Sequence, residues 1–77
     1  METHVKIKLF ATLKKYSPAD AENYSVEPGT TVGDLLEQLG IPEQEAKIIF
    51  IDSVKVSLDT VLNEGMTVSI FPPIGGG

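Results

Sequence analysis

There is no cysteine anywhere in this chain. That single absence removes disulfides, thiolate metal ligands and a cysteine nucleophile together. Histidine is almost as scarce, occurring once, at His4. With no second histidine or cysteine beside it, a zinc site is not expected, and Ser53, Ser57 and Ser69 have no base to complete a hydrolase triad. His4 reads as an exposed residue near the terminus. Basic residues are few: 6 lysines and arginines stand against 11 carboxylates, for a net charge of −5. Phosphate recognition needs clustered cations, so nucleic acid is not expected as a partner. The acidic balance is compatible with docking onto a basic protein surface, and equally with plain solubility. No apolar run approaches the ~18 residues of a membrane span. The start, Met1-Glu2-Thr3-His4, has no basic segment leading into an apolar one, so no secretory signal is read and the cytoplasm is expected. Glu43, Glu45, Asp52, Asp59 and Glu64 fall in turns without the spacing of a calcium loop. No metal and no bound cofactor is therefore expected. Internal repeats are absent.

What is present is enough for one small domain of 77 residues with 42% hydrophobic content. Val5, Ile7 and Leu9 alternate with Lys6, Lys8 and Phe10, the period of a strand with one buried face. Phe10 falls on the lysine face, where a large ring has to be covered or left exposed. Residues 11–16 read as a helical turn with Leu13 inward, ended by Ser17-Pro18. Tyr24-Ser25-Val26 reads as a short strand closed by the turn Glu27-Pro28-Gly29. Thr31 and Asp34 suit a capping box. Val32, Leu35, Leu36 and Leu39 then share one helix face, and Gly40 suits the helix end. Residues 43–45 read as a further short turn. The continuous apolar run 48–51 predicts a strand near the sheet centre, and residues 54–57 an edge strand after a turn at Asp52-Ser53. Residues 66–71 alternate again, placing Val68 and Ile70 inward and Phe71 on the outer face. The order of elements predicts an α+β fold, a mixed sheet with a helix on one face. Parallel pairing of the first and last strands would bring Phe10 and Phe71 together on the uncovered face. A partner patch is favoured over two unrelated exposed rings because the pair lies at the root of the tail.

That tail is Phe71-Pro72-Pro73-Ile74-Gly75-Gly76-Gly77. Two prolines lack N–H donors and hold φ near −65°, so they end a strand and begin a stiff extended arm. Gly75, Gly76 and Gly77 carry no side chains and form a thin tip. Fully extended, residues 72–77 would reach about 20 Å. A free α-carboxylate on Gly77, with a pKa of roughly 3.3–3.7, would be ionised at neutral pH. Such an arm suits delivery of a carboxylate into a narrow cleft of another protein. A frayed terminus fits the composition equally well. The rest of the chain offers no reactive group, and the carboxylate becomes reactive once its oxygen is made a good leaving group. Acyl-adenylate formation with ATP does this, but it needs phosphate- and Mg²⁺-binding groups that a partner would have to supply. Sulfide would then give a thiocarboxylate, and an amine would give an amide or isopeptide bond.

Over its whole length the chain resembles the ubiquitin-like β-grasp sulfur carriers of the MoaD/ThiS type, and most closely the small subunit of molybdopterin synthase. The stretches that carry the resemblance are Val5 to Leu13, Gly29 to Leu36, Leu62 to Val68 and, with most specificity, Phe71 to Gly77. The resemblance implies a β-grasp domain over 1–71, with about four to five strands and one main helix, and a flexible tail over 72–77. It implies that Gly77 is adenylated by an E1-like enzyme of the MoeB/ThiF type, using ATP and a sulfur donor held by that partner. The resulting thiocarboxylate would donate sulfur for the pterin cofactor of molybdenum or tungsten on a larger, MoaE-type catalytic subunit. The chain itself would be a carrier, not an enzyme. Pro72, Pro73, Ile74, Gly75 and Gly76 would thread into the partner, and Phe10 and Phe71 would face it. Alternatives are a ubiquitin-like protein modifier conjugated through Gly77, or a carrier for thiamine or cysteine synthesis. The diproline and the long first connection speak against the thiamine branch. Asp52-Ser53 stands where an Asn-Gly turn is frequent, which points to a differently shaped hairpin.

Overall fold

A computed structural model describes residues 2–73. Strand β1 (Thr3–Leu9) follows its alternation: Val5, Ile7 and Leu9 are buried while Lys6 and Lys8 are exposed. The chain then enters a 3₁₀ segment, Ala11–Tyr16, whose Leu13 is fully buried. Ala11 begins it at φ 54°, a left-handed conformation for a residue with a Cβ. A second 3₁₀ turn, Ala21–Asn23, leads into β2 (Tyr24–Val26), antiparallel to β1 with Tyr24 opposite Val5.

Helix α1 (Val32–Leu39) is closed at its start by reciprocal bonds. The Asp34 N–H donates to Thr31 Oγ1 at 3.2 Å, and the Thr31 N–H to Asp34 Oδ2 at 3.1 Å. The next free donors of the first turn are also met. Val32 N–H reaches the Thr60 carbonyl at 2.9 Å and Gly33 N–H the Leu58 carbonyl at 2.8 Å. Gly40 ends the helix in the left-handed region, φ 78°, which its missing side chain permits. Val32, Leu35 and Leu36 are buried, and each leucine contributes roughly 1.5–3 kcal/mol relative to exposure.

After a 3₁₀ turn at Glu43–Glu45 come β3 (Ile48–Ile51), β4 (Val54–Lys55) and β5 (Thr67–Phe71). The five strands lie in the order β2-β1-β5-β3-β4. β1 and β5 run parallel, and the other pairings are antiparallel. The mixed sheet with one helix on one face is therefore the expected one; β5 is its centre, and the apolar run 48–51 lies next to it as β3. β3 lies between β5 and the edge strand β4, which is shorter than the sequence suggests: after Val56 donates to the Ile49 carbonyl, the chain turns away. The core, formed by Val5, Ile7, Leu13, Leu35, Val68 and Ile70 with their neighbours, lies between α1 and the inner sheet face.

The β3–β4 hairpin also differs from expectation. Ile51 pairs with Val54, leaving a two-residue loop in which Asp52 (φ 51°) and Ser53 (φ 74°) both have positive φ. That is the geometry an Asn-Gly turn would serve, adopted here by residues with side chains. Asp52 compensates, since its Oδ1 accepts the Thr67 N–H at 3.1 Å and ties the turn to the start of β5.

Candidate partner face and tail root

The outer face of the sheet follows from strand register. Lys8, Ser69, Phe50 and Lys55 stand in one row across β1, β5, β3 and β4. One row toward the tail, Phe71 lies opposite Ile48, and Phe10 comes alongside because Leu9 pairs with Ile70. The Phe10 and Phe71 rings stack with centroids 4.4 Å apart and planes 6° from parallel. Their predicted proximity is thus a feature of the structure, and its cause is the parallel β1–β5 pairing. Phe50 meets Phe71 edge-on, at 5.8 Å and 88°. All 3 phenylalanines of the chain are therefore in one cluster on the uncovered face. Aromatic pairs of this kind add about 0.5–1.5 kcal/mol beyond their burial.

The sequence reading named Phe10 and Phe71 but missed Phe50 and Ile48. The signal was present in the unbroken run 48–51. A strand buried on one face alternates, so an unbroken apolar strand means that its second face is apolar too. These residues, with Ala11, Pro72 and Pro73, line an open groove of about 400 Å³. Phe10, Ile48, Phe50 and Phe71 are each half-buried, so the groove keeps apolar area in contact with water. Lys47 N–H donates to the Phe71 carbonyl at 3.0 Å, and the two prolines that follow have no N–H with which to prolong the ladder. The chain leaves the sheet at this groove. The tail residues Ile74, Gly75, Gly76 and Gly77 named from the sequence lie outside the described residues.

The remaining titratable groups assemble no second site. Among the described residues there is no cluster of three or more His, Asp or Glu side chains able to hold a metal, and no helix long and apolar enough to cross a membrane. His4 Nδ1 lies 3.5 Å from Glu64 Oε1, which also accepts the His4 N–H at 2.8 Å. Asp59 is held below the usual carboxylate range, chiefly by the Ser57 hydroxyl, which donates to Oδ1 at 2.6 Å. Asp59 is exposed and lies in the turn at residues 58–59, before the Val61 bridge to Thr31.

Fold and face together define a ubiquitin-like β-grasp protein: a five-stranded mixed sheet grips one helix, and an apolar outer face adjoins the exit of the last strand. Residues 7–77 match the model of the ThiS family, and the chain belongs to that family. Its members are small ubiquitin-fold proteins of the sulfur-carrier or modifier kind, generally not catalysts themselves, that work with E1-like activating enzymes. Among solved structures, the HVO 2177 protein of Haloferax volcanii aligns with TM-score 0.77 and 24% identity, over 99% of this chain and 88% of its own. A putative molybdopterin converting factor subunit 1 from Pyrococcus furiosus aligns with TM-score 0.64 and 25% identity, over 94% of this chain and 99% of its own. Small archaeal modifier protein 1 of H. volcanii gives TM-score 0.67 and 24% identity, over 94% and 99%. No curated protein matches the chain.

Proposed function

We propose that this protein is a sulfur carrier whose working group is the carboxylate of Gly77, acting as the small subunit of a molybdopterin-forming synthase. The observation that carries the reading is the ThiS family match, which runs through the tail to Gly77. Two further facts support it. The prolines lead the chain away from an apolar face suited to a protein partner, and the absence of cysteine leaves no thiol in the chain to carry sulfur. The molybdopterin branch is favoured by the diproline and by the likeness to the P. furiosus converting-factor subunit.

In this reading an E1-like partner of the MoeB/ThiF type binds ATP. A carboxylate oxygen of Gly77 attacks the α-phosphorus and pyrophosphate leaves. Sulfide from a donor then attacks the carbonyl carbon, AMP departs with the bonding pair, and the thiocarboxylate loses its proton. A MoaE-type subunit receives the tail and takes the sulfur into the pterin. The carrier's own contribution is reach and thinness: prolines that hold the base of the arm, and glycines that pass where a Cβ would not. The setting is the cytoplasm, where ATP and reduced sulfur are at hand.

The test is intact-protein mass after incubation with the activating enzyme, ATP and sulfide. The expected result is replacement of one oxygen by sulfur, lost when Gly77 is removed. An unchanged mass in the presence of an enzyme that releases pyrophosphate would overturn the reading. Formation of isopeptide adducts on lysines in place of the exchange would instead make the chain a protein modifier.

A further inference from the structure

The chain has two methionines, Met1 and Met66, and with no cysteine their thioethers are its only sulfur. Met66 directly precedes β5 and is half-buried against the core. It closes the turn before that strand twice. The Met66 N–H donates to the Asn63 carbonyl at 3.3 Å, and the Asn63 N–H donates to Met66 Sδ, also at 3.3 Å. Main-chain bonds seat this turn on β1. The Gly65 N–H reaches the His4 carbonyl at 2.8 Å, and the Met66 carbonyl accepts the Lys6 N–H at 2.8 Å. The second of these bonds lies at the start of the parallel β1–β5 ladder, where Lys6 stands opposite Thr67. β5 is the middle strand of the five. The Met66 sulfur is therefore an acceptor inside the turn that sets how the central strand enters the sheet. A thioether is a weak acceptor, and it is also the side-chain group here that takes up oxygen in a two-electron step.

We propose that Met66 is an oxidation site through which peroxide reversibly weakens this fold. In the step, a lone pair of Sδ attacks one peroxide oxygen, the O–O bond breaks and an S–O bond forms. The sulfur gives up two electrons, and the departing hydroxide takes up a proton and leaves as water. The product, methionine sulfoxide, is polar where the thioether was apolar. An oxygen on the side of Asn63 would lie between the sulfur and the nitrogen, and 3.3 Å leaves no space for it unless the turn opens. On any other side it makes polar a side chain that packs on the core, at a cost unless a new donor meets it. In both cases the loss falls on the turn and on the bond between the Lys6 N–H and the Met66 carbonyl. The Phe10–Phe71 stack stands at the opposite end of β5 and is not touched directly. The inference is independent of the carrier reading, because it concerns the stability of the folded body and not the chemistry of the tail.

The experiment treats the full-length protein with excess hydrogen peroxide, locates added oxygen by the mass of proteolytic peptides, and follows urea unfolding. Met66→Leu, an apolar side chain of similar size without sulfur, is treated in parallel, and amide spectra verify that it is folded. The expected result is one oxygen on Met66 in the folded protein and a shifted Asn63 amide signal. The urea midpoint of the oxidised protein should fall by roughly 0.5–1 M, given a slope of about 1–3 kcal/mol per molar urea. The midpoint of Met66→Leu should not respond to peroxide. Methionine sulfoxide reductases with a dithiol should remove the oxygen and restore the wild-type midpoint, a readout that needs no variant. A Met66 that takes up oxygen only in the urea-unfolded chain would be a plain packing residue and would overturn the proposal. So would an unchanged or higher midpoint after oxidation, an equal fall in Met66→Leu, or a midpoint that stays low once the oxygen is gone.

Discussion

Ser53 occupies φ 74° and Asp52 φ 51° in the tight β3–β4 turn, a backbone that costs a residue with a Cβ roughly 1–2 kcal/mol. Asp52 has a reason to stay, its bond to the Thr67 N–H, and Ser53 makes no comparable bond. Ser53→Gly is therefore expected to raise stability by about 0.5–1 kcal/mol after allowing for the extra freedom of glycine in the unfolded chain. Urea unfolding checks it. A second residue-scale prediction concerns Asp59. Its carboxyl titrates below the ordinary value because the Ser57 hydroxyl and a backbone donor favour the ionised form. A carboxyl held low in the fold favours folding above its unfolded pKa, and that contribution disappears as pH falls through the folded value. Ser57→Ala is expected to move the Asp59 midpoint upward in a carbon-detected NMR titration. Asp59 is fully exposed, so the acid limb of the stability curve should hardly change.

At the scale of elements, α1 was the most legible part of the chain. Thr31 and Asp34 made a capping box readable from their spacing, and Val32, Leu35, Leu36 and Leu39 marked its inner stripe. Removing the Thr31 side chain by Thr31→Ala should cost about 1 kcal/mol, within the 0.5–2 typical of a lost N-cap. The drop is expected as a lower urea midpoint with unchanged slope. The strand over 48–51 was legible as a strand near the sheet centre, but its neighbours, β5 and the edge strand β4, were not. A continuous apolar run is common to a central strand and to an edge-proximal strand whose outer face awaits a partner, and local pattern does not separate the two. The 3₁₀ character of Ala11–Tyr16 was likewise readable only as a helical turn, although Leu13 was correctly expected inside. Leu13→Ala is expected to cost roughly 2–5 kcal/mol, since the site is fully buried and closed by the sheet. Thermal unfolding would show it.

For the molecule as a whole, the proposed carrier reading separates a folded body from a working tail. Core, helix and sheet lie within residues 3–71. Deleting Gly76 and Gly77 is therefore expected to leave the unfolding midpoint unchanged while abolishing oxygen-to-sulfur exchange. A loss of stability of more than ~1 kcal/mol, on the scale of a net hydrogen bond, would show that the tail belongs to the fold.

What the sequence determined by itself was whatever is written locally: the strand periods, the capped helix, the turns at Pro28-Gly29 and Gly65, the lack of any thiol, and the diproline-glycine tail that named the family. Only tertiary structure decided strand order, and with it which side chains share the outer face. Lys8, Phe50 and Lys55 are far apart in the chain and neighbours in one row because β5 returns parallel to β1 and draws β3 and β4 after it. The sign of the charge on a surface depends on such long-range registers. A net charge of −5 could not reveal that Lys6, Lys8 and Lys55 share the face beside the tail.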